Sequence, residues 1–116
     1  MTLAVRNLSR DSKLAEHALD CRSFLSRAKG LLGTGQKSAV DGCWLVPCSS
    51  VHTFGMARSI DVYFLSKKNE VLAIRKNLKP NRFSPYQPGT HSILELFSGK
   101  ARACEKGDVL SMEKQP

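Results

Sequence analysis

Ile60-Asp-Val-Tyr-Phe-Leu65, Lys67-Lys-Asn-Glu70 and Val71-Leu-Ala-Ile74 form an apolar run, a polar break and a second apolar run. The first, rich in β-branched and aromatic residues and too short for a helix, reads as a central strand buried on both faces or lying at a barrel seam. The polar break supplies a hairpin turn, and the second run returns beside the first.

The same punctuation extends in both directions. Residues 42–46 form a strand stopped by Pro47, residues 92–97 form another, and 109–112 the last. With 60–65 and 71–75, the segments 42–46 and 92–97 are expected to lie in one sheet. Upstream, residues 3–8 alternate weakly and predict an edge strand, with 13–19 pairing to it across Ser9-Arg10-Asp11-Ser12. Two helices are expected. One is capped by Asp20, carries Cys21, Phe24, Leu25, Ala28 and Leu32 at helical spacing, and ends at Gly30 and Gly33. The other runs from Ser98 through Cys104 and closes at Gly107. Residues 79–89 hold Pro80, Pro85 and Pro88 and predict an extended crossover without regular pairing. The expected class is therefore α+β: a compact, mainly antiparallel bent sheet or partly closed β-barrel with two short helices, one domain over residues 1–116, with a fraying tail at 113–116.

A chain of 116 residues supports one core. No run approaches the ~20 apolar residues of a membrane span. Arg6, Arg10 and Asp11 break the apolar centre a signal peptide needs, so the cytoplasm is the expected compartment and Cys21, Cys43, Cys48 and Cys104 are expected as free thiols. The net charge of +8 favours anionic partners, although each half of the chain carries +4. The one local cluster is Arg75, Lys76, Lys79 and Arg82, with no acid among them; it reads as a candidate anion or nucleic-acid surface, or as a basic edge that discourages strand-to-strand aggregation.

Val46-Pro-Cys-Ser-Ser-Val-His-Thr-Phe-Gly-Met56 gathers the reactive groups. Cys48 with His52 suggests a thiol and its base, oriented by Asp61 or Glu95. Cys43, Cys48 and His52 invite a zinc reading, but extended backbone would hold the two thiols about 16 Å apart, far from knuckle spacing. No metal or cofactor is expected. Asp61, at the mouth of an apolar strand, must pin a turn or face a pocket, since an unpaired carboxylate there is costly. Glu95, flanked by Ile93 and Phe97 on its own face, is a half-buried acid with Arg27 as a candidate partner, or part of an exposed barrel face.

That motif, with Ile60-Asp-Val-Tyr-Phe-Leu65, Arg27-Ala-Lys-Gly-Leu-Leu-Gly33 and Ile93-Leu-Glu-Leu96, resembles the small bacterial and archaeal family called domain of unknown function 192. The resemblance covers roughly residues 27–112 and implies a compact β-rich fold, but no activity. In relatives with this version of the motif, the residues matching Pro47-Cys48 and Ser50-Val51-His52-Thr53 recur, and an aspartate matches Asp61. Other branches have Phe-Trp-Met where this chain has Thr53-Phe54-Gly55-Met56, and lack the cysteine, which argues against Cys48 as a universal catalyst.

Three functions follow as expectations. The first is a small binding or accessory module whose polar pocket near residues 47–56 uses Cys48, Ser50, His52, Thr53, Met56, Asp61 and Glu95 for an unidentified ligand or protein partner. The second is a cysteine- or metal-dependent enzyme using Cys48 and His52, with Asp61. The third is a nucleic-acid or anion binder using Arg75, Lys76, Lys79 and Arg82; it lacks interleaved aromatics, since only Phe83 and Tyr86 lie near, so base stacking has few platforms.

Overall fold

The computed structural model describes residues 2–21, 40–53, 58–84 and 86–115, with the side chains of Val51 and His52 left out. Nine strands are found among them: β1 Thr2–Asn7, β2 Ser12–Cys21, β3 Gly42–Leu45, β4 Val51–His52, β5 Ile60–Leu65, β6 Val71–Leu78, β7 Phe83–Ser84, β8 Ser92–Phe97 and β9 Leu110–Lys114. Seven form one sheet in the order β6-β5-β8-β3-β2-β1-β9, and β4 pairs with β7 in a separate two-residue ribbon. All neighbours are antiparallel except β2 and β3, which run parallel. Parallel strands need a crossover of a dozen or more residues, which the chain between Cys21 and Gly42 is long enough to supply.

The sheet curls until its outer strands meet at one end. Glu70 bridges Val109. Around them Val71 N–H donates to Asp108 O at 2.8 Å, Gly107 N–H to Val71 O at 2.8 Å and Leu110 N–H to Asn69 O at 2.9 Å. Curling separates two cores. Leu3, Val5, Leu14, Ala18, Trp44, Tyr63, Leu65, Leu94, Leu96 and Leu110 fill the concave interior. Cys21, Cys43, Leu45, Ile60, Val62, Phe64, Ile93 and Phe97 pack on the outer face of the central strands. Alternation along β5 therefore feeds both cores, and all of Ile60–Leu65 is buried, as its apolar run foretold.

Gly42 shows how closely the central strands approach. A Cβ there would sit 1.8 Å from the Glu95 carbonyl oxygen of β8, so only glycine fits opposite Leu96.

The α+β expectation is corrected: the described residues contain strands and no helix. Asp20 does not cap a helix. It and Cys21 continue β2, paired to Trp44 and Leu45, while residues 22–32 of that expected helix lie outside the described residues. Pairing with β3 keeps both positions extended, whatever their fit to a helical spacing. The second helix is replaced by an irregular segment. Gly99 takes φ +110°, Ser98 turns its hydroxyl onto Asp61, and Arg102 points inward to the same carboxylate. A helix of two turns is too marginal in isolation to resist those contacts. Two smaller corrections follow. β1 is flanked by β2 and β9 and so is not an edge strand, and the 79–89 crossover carries the short strand β7.

Candidate functional site

The segment after β3 is pinned by its backbone. Cys48 N–H donates to His91 O at 3.0 Å, and the half-buried Cys48 thiol donates to Ser50 O at 3.2 Å. Pro47, Cys48, Ser49, Thr90 and His91 line an open depression of about 260 Å³. His91, which stands alone in the sequence, is thus the histidine placed beside this thiol by the described residues. Met56 and the His52 side chain lie outside them. Thr53, a candidate ligand contact, is fully buried. Its hydroxyl donates to Lys79 O at 2.6 Å and accepts Arg82 N–H at 2.8 Å, while its own N–H and carbonyl bond Arg82 O and Asn81 N–H. Thr53 therefore moors the 79–82 turn.

Asp61 lies elsewhere. Between the pairs Ile60↔Leu78 and Val62↔Arg75, β6 has two residues, Lys76 and Asn77, where β5 has one. This is a β-bulge, with Asn77 at φ +55°. Asp61 fills it: Oδ1 accepts Asn77 N–H at 2.9 Å and the Ser98 hydroxyl at 2.8 Å, and Oδ2 pairs with Arg102 at 3.2 Å. The Arg102 guanidinium, only 4% exposed, also donates to Leu14 O and Phe97 O. A buried carboxylate demands a cation. The apolar setting of Asp61 signals that demand, but nothing local singles out Arg102 from 18 basic residues. Burial pushes the nearby Tyr63 hydroxyl up to about 12, opposed by Arg102.

Glu95 occupies the opposite face of the sheet. It pairs with Cys43 on β3 and Val62 on β5, and accepts the Cys43 thiol at 3.4 Å. At 4% exposure its carboxyl is pushed by burial to about 7, with the Cys43 bond pulling the other way. Cys43 is held well above the ordinary thiol range by its hydrogen bond with Cys21 and by burial. Arg27, the candidate partner of Glu95, lies outside the described residues. Cys48, Asp61 and Glu95 are thus in three different places: a surface depression, the concave side of the sheet and its outer face.

The basic cluster, by contrast, converges. Arg75, Lys76, Lys79 and Arg82, with Ile74, Asn77 and Leu78, line one concavity of about 570 Å³, and no acid is among these lining residues. Its shape has two causes. The bulge throws Lys76 and Asn77 outward from β6, and Thr53 folds the 79–82 turn back toward them. All four basic side chains are exposed. Phe83 and Tyr86 follow in the same connection, 61% and 62% exposed, whereas Ser84 between them is buried.

Comparisons with known proteins agree with this architecture. Residues 8–112 match the family DUF192, described as Uncharacterized ACR. No curated protein matches the sequence. A crystal structure of a protein of unknown function from Novosphingobium aromaticivorans is similar in fold, with a TM-score of 0.75 and 20% identity over 96% of this chain and 84% of that one.

Proposed function

The chain belongs to DUF192, a family whose description carries no activity, and we propose from its geometry that it is a small binding module for a polyanionic ligand. One observation carries this reading: four cationic side chains share the 570 Å³ concavity beside the β6 bulge, and none of its lining residues is acidic. Like charges held together on a fixed frame raise the local potential, and a polyanion that neutralises them releases its own counterions. The pocket expected around residues 47–56 supports a ligand site less well, because Thr53 is consumed by backbone and Asp61 and Glu95 face different cores.

The test compares two charge-matched variants. Arg75, Lys76, Lys79 and Arg82 are all changed to glutamine in one, and the exposed Lys67, Lys68, Lys106 and Lys114 in the other. Each has a net charge of +4, against +8 for the parent. The first is expected to lose retention on heparin and binding to inorganic polyphosphate, and the second to keep most of both. Equal losses would show that overall charge alone is at work and would refute a localised site.

A second reading has one observation behind it. The half-buried Cys48 thiol and His91 share a depression, so His91 is a candidate base for a thiol reaction there. Faster iodoacetamide alkylation of Cys48 than of a free thiol at pH 7, lost in His91→Gln, is its signature.

A further inference from the structure

We infer that the polyanion is a single-stranded nucleic acid, whose phosphates lie along the basic concavity while its bases stack on Phe83 and Tyr86. This deepens the reading above and rests on it. A basic surface alone attracts any polyanion, so the class of ligand has to come from the groups beside the charge. Among the described residues the exposed aromatic side chains are Phe83 and Tyr86. Both lie in the connection that leaves the concavity, Phe83 directly after the lining residue Arg82.

Their exposure is built in. In the β4–β7 ribbon Phe83 is paired with His52 and Ser84 with Val51, and alternation turns Ser84 inward at 1% exposure and Phe83 outward. The ribbon is anchored by Thr53, whose bonds to Lys79, Asn81 and Arg82 fix the turn just before Phe83. An outward phenylalanine beside a cationic surface offers little to a duplex, whose bases are already stacked. It is a platform for unpaired bases, which present a π-face whatever their sequence, while guanidinium groups such as those of Arg75 and Arg82 add cation–π contacts. Readout is then independent of sequence, and ribose and deoxyribose strands share the chemistry.

The experiment measures fluorescence anisotropy with labelled ten-nucleotide oligo-dT and oligo-U, a duplex of the same length, and polyphosphate and poly-glutamate as competitors. The proteins are the full chain, Phe83→Ala, Tyr86→Ala and the conservative Phe83→Trp, with thermal unfolding to confirm that each is folded. If four phosphates are neutralised, the log–log salt slope for a single strand is about −3, or roughly 50-fold weaker binding between 50 and 200 mM salt. Each alanine variant is expected to weaken single-strand binding by roughly 5- to 150-fold, to leave polyphosphate binding within about twofold, and Phe83→Trp to retain affinity. Several results overturn the inference while leaving the polyanion reading intact: duplex bound as tightly as single strand, alanine variants that bind like the parent, or displacement by poly-glutamate as effective as by polyphosphate. Failure of every polyanion to bind sinks both.

Discussion

Replacing Glu95 with glutamine separates the cost of burying a carboxylate from every other contribution at that position. The side chain is 4% exposed, lies on the face of β8 shared with Ile93 and Phe97, and has a pKa of about 7 against an ordinary 4.5. A raised acid pKa means that the folded state holds a proton which the unfolded chain has released between pH 4.5 and 7. Stability must therefore fall as pH rises through that window. The difference of about 2.5 units corresponds to roughly 3 kcal/mol, lost by pH 7 and constant above it. Glutamine keeps the size and the acceptor for the Cys43 thiol but has no proton to lose. Its unpaired N–H groups add a penalty of about 1–3 kcal/mol, which does not depend on pH. The informative quantity is consequently the shape of the difference. Urea unfolding at pH 4.5, 6, 7 and 8 should show Glu95→Gln gaining on the parent by about 3 kcal/mol across the series. A constant difference between the two proteins would refute the burial argument and place a compensating charge against Glu95.

Arg102→Met should cost about 3–5 kcal/mol because it leaves the Asp61 carboxylate buried without its cation. Adding Asp61→Asn should recover part of that loss in a double-mutant cycle followed by urea unfolding, and strictly additive losses would count against the pair. Thr53→Val preserves shape but strands Lys79 O and Arg82 N–H; a loss of about 1–3 kcal/mol and faster hydrogen exchange at Arg82 are expected, and unchanged exchange would show that the turn holds itself. In a native thiol titration Cys48 should react first, with Cys21, Cys43 and Cys104 following only after denaturation, since these are 3%, 0% and 6% exposed. Simultaneous reaction of all four would contradict that burial.

The strands were legible because burial leaves a direct imprint on sequence. The continuous apolar run at 60–65 marks a strand between two cores, and the 8–11 turn joins a hairpin that forms as read, with Leu3 opposite Ala18 and Arg6 opposite Lys13. The segment 98–104 was misread because local spacing carries no trace of Asp61, 41 residues before Arg102, whose charge draws the chain out of a helix. Likewise, the division of the candidate pocket depends on register. Val62 lies opposite Glu95, which sends Asp61 and Glu95 to different faces; a shift of one residue would have joined them. Sequence encodes the alternation along each strand but only weakly the offset between two. The basic cluster escaped this difficulty, since four residues within eight positions on one strand end and its turn stay close under any register.

The bulge in β6 makes the protein's interior an actuator for its surface. Asn77 lines the basic concavity, yet its backbone N–H is held by a carboxylate that faces inward to Arg102. Curvature outside is thus set by an ion pair that no ligand on that surface can touch. A library scored for loss of binding would place Asp61, Ser98 and Arg102 among the ligand contacts, and hits at these positions would trace the suspension of the surface rather than its footprint. Only a measurement that reports shape and affinity separately, such as amide shifts at Lys76 and Asn77 beside a titration, sorts the two.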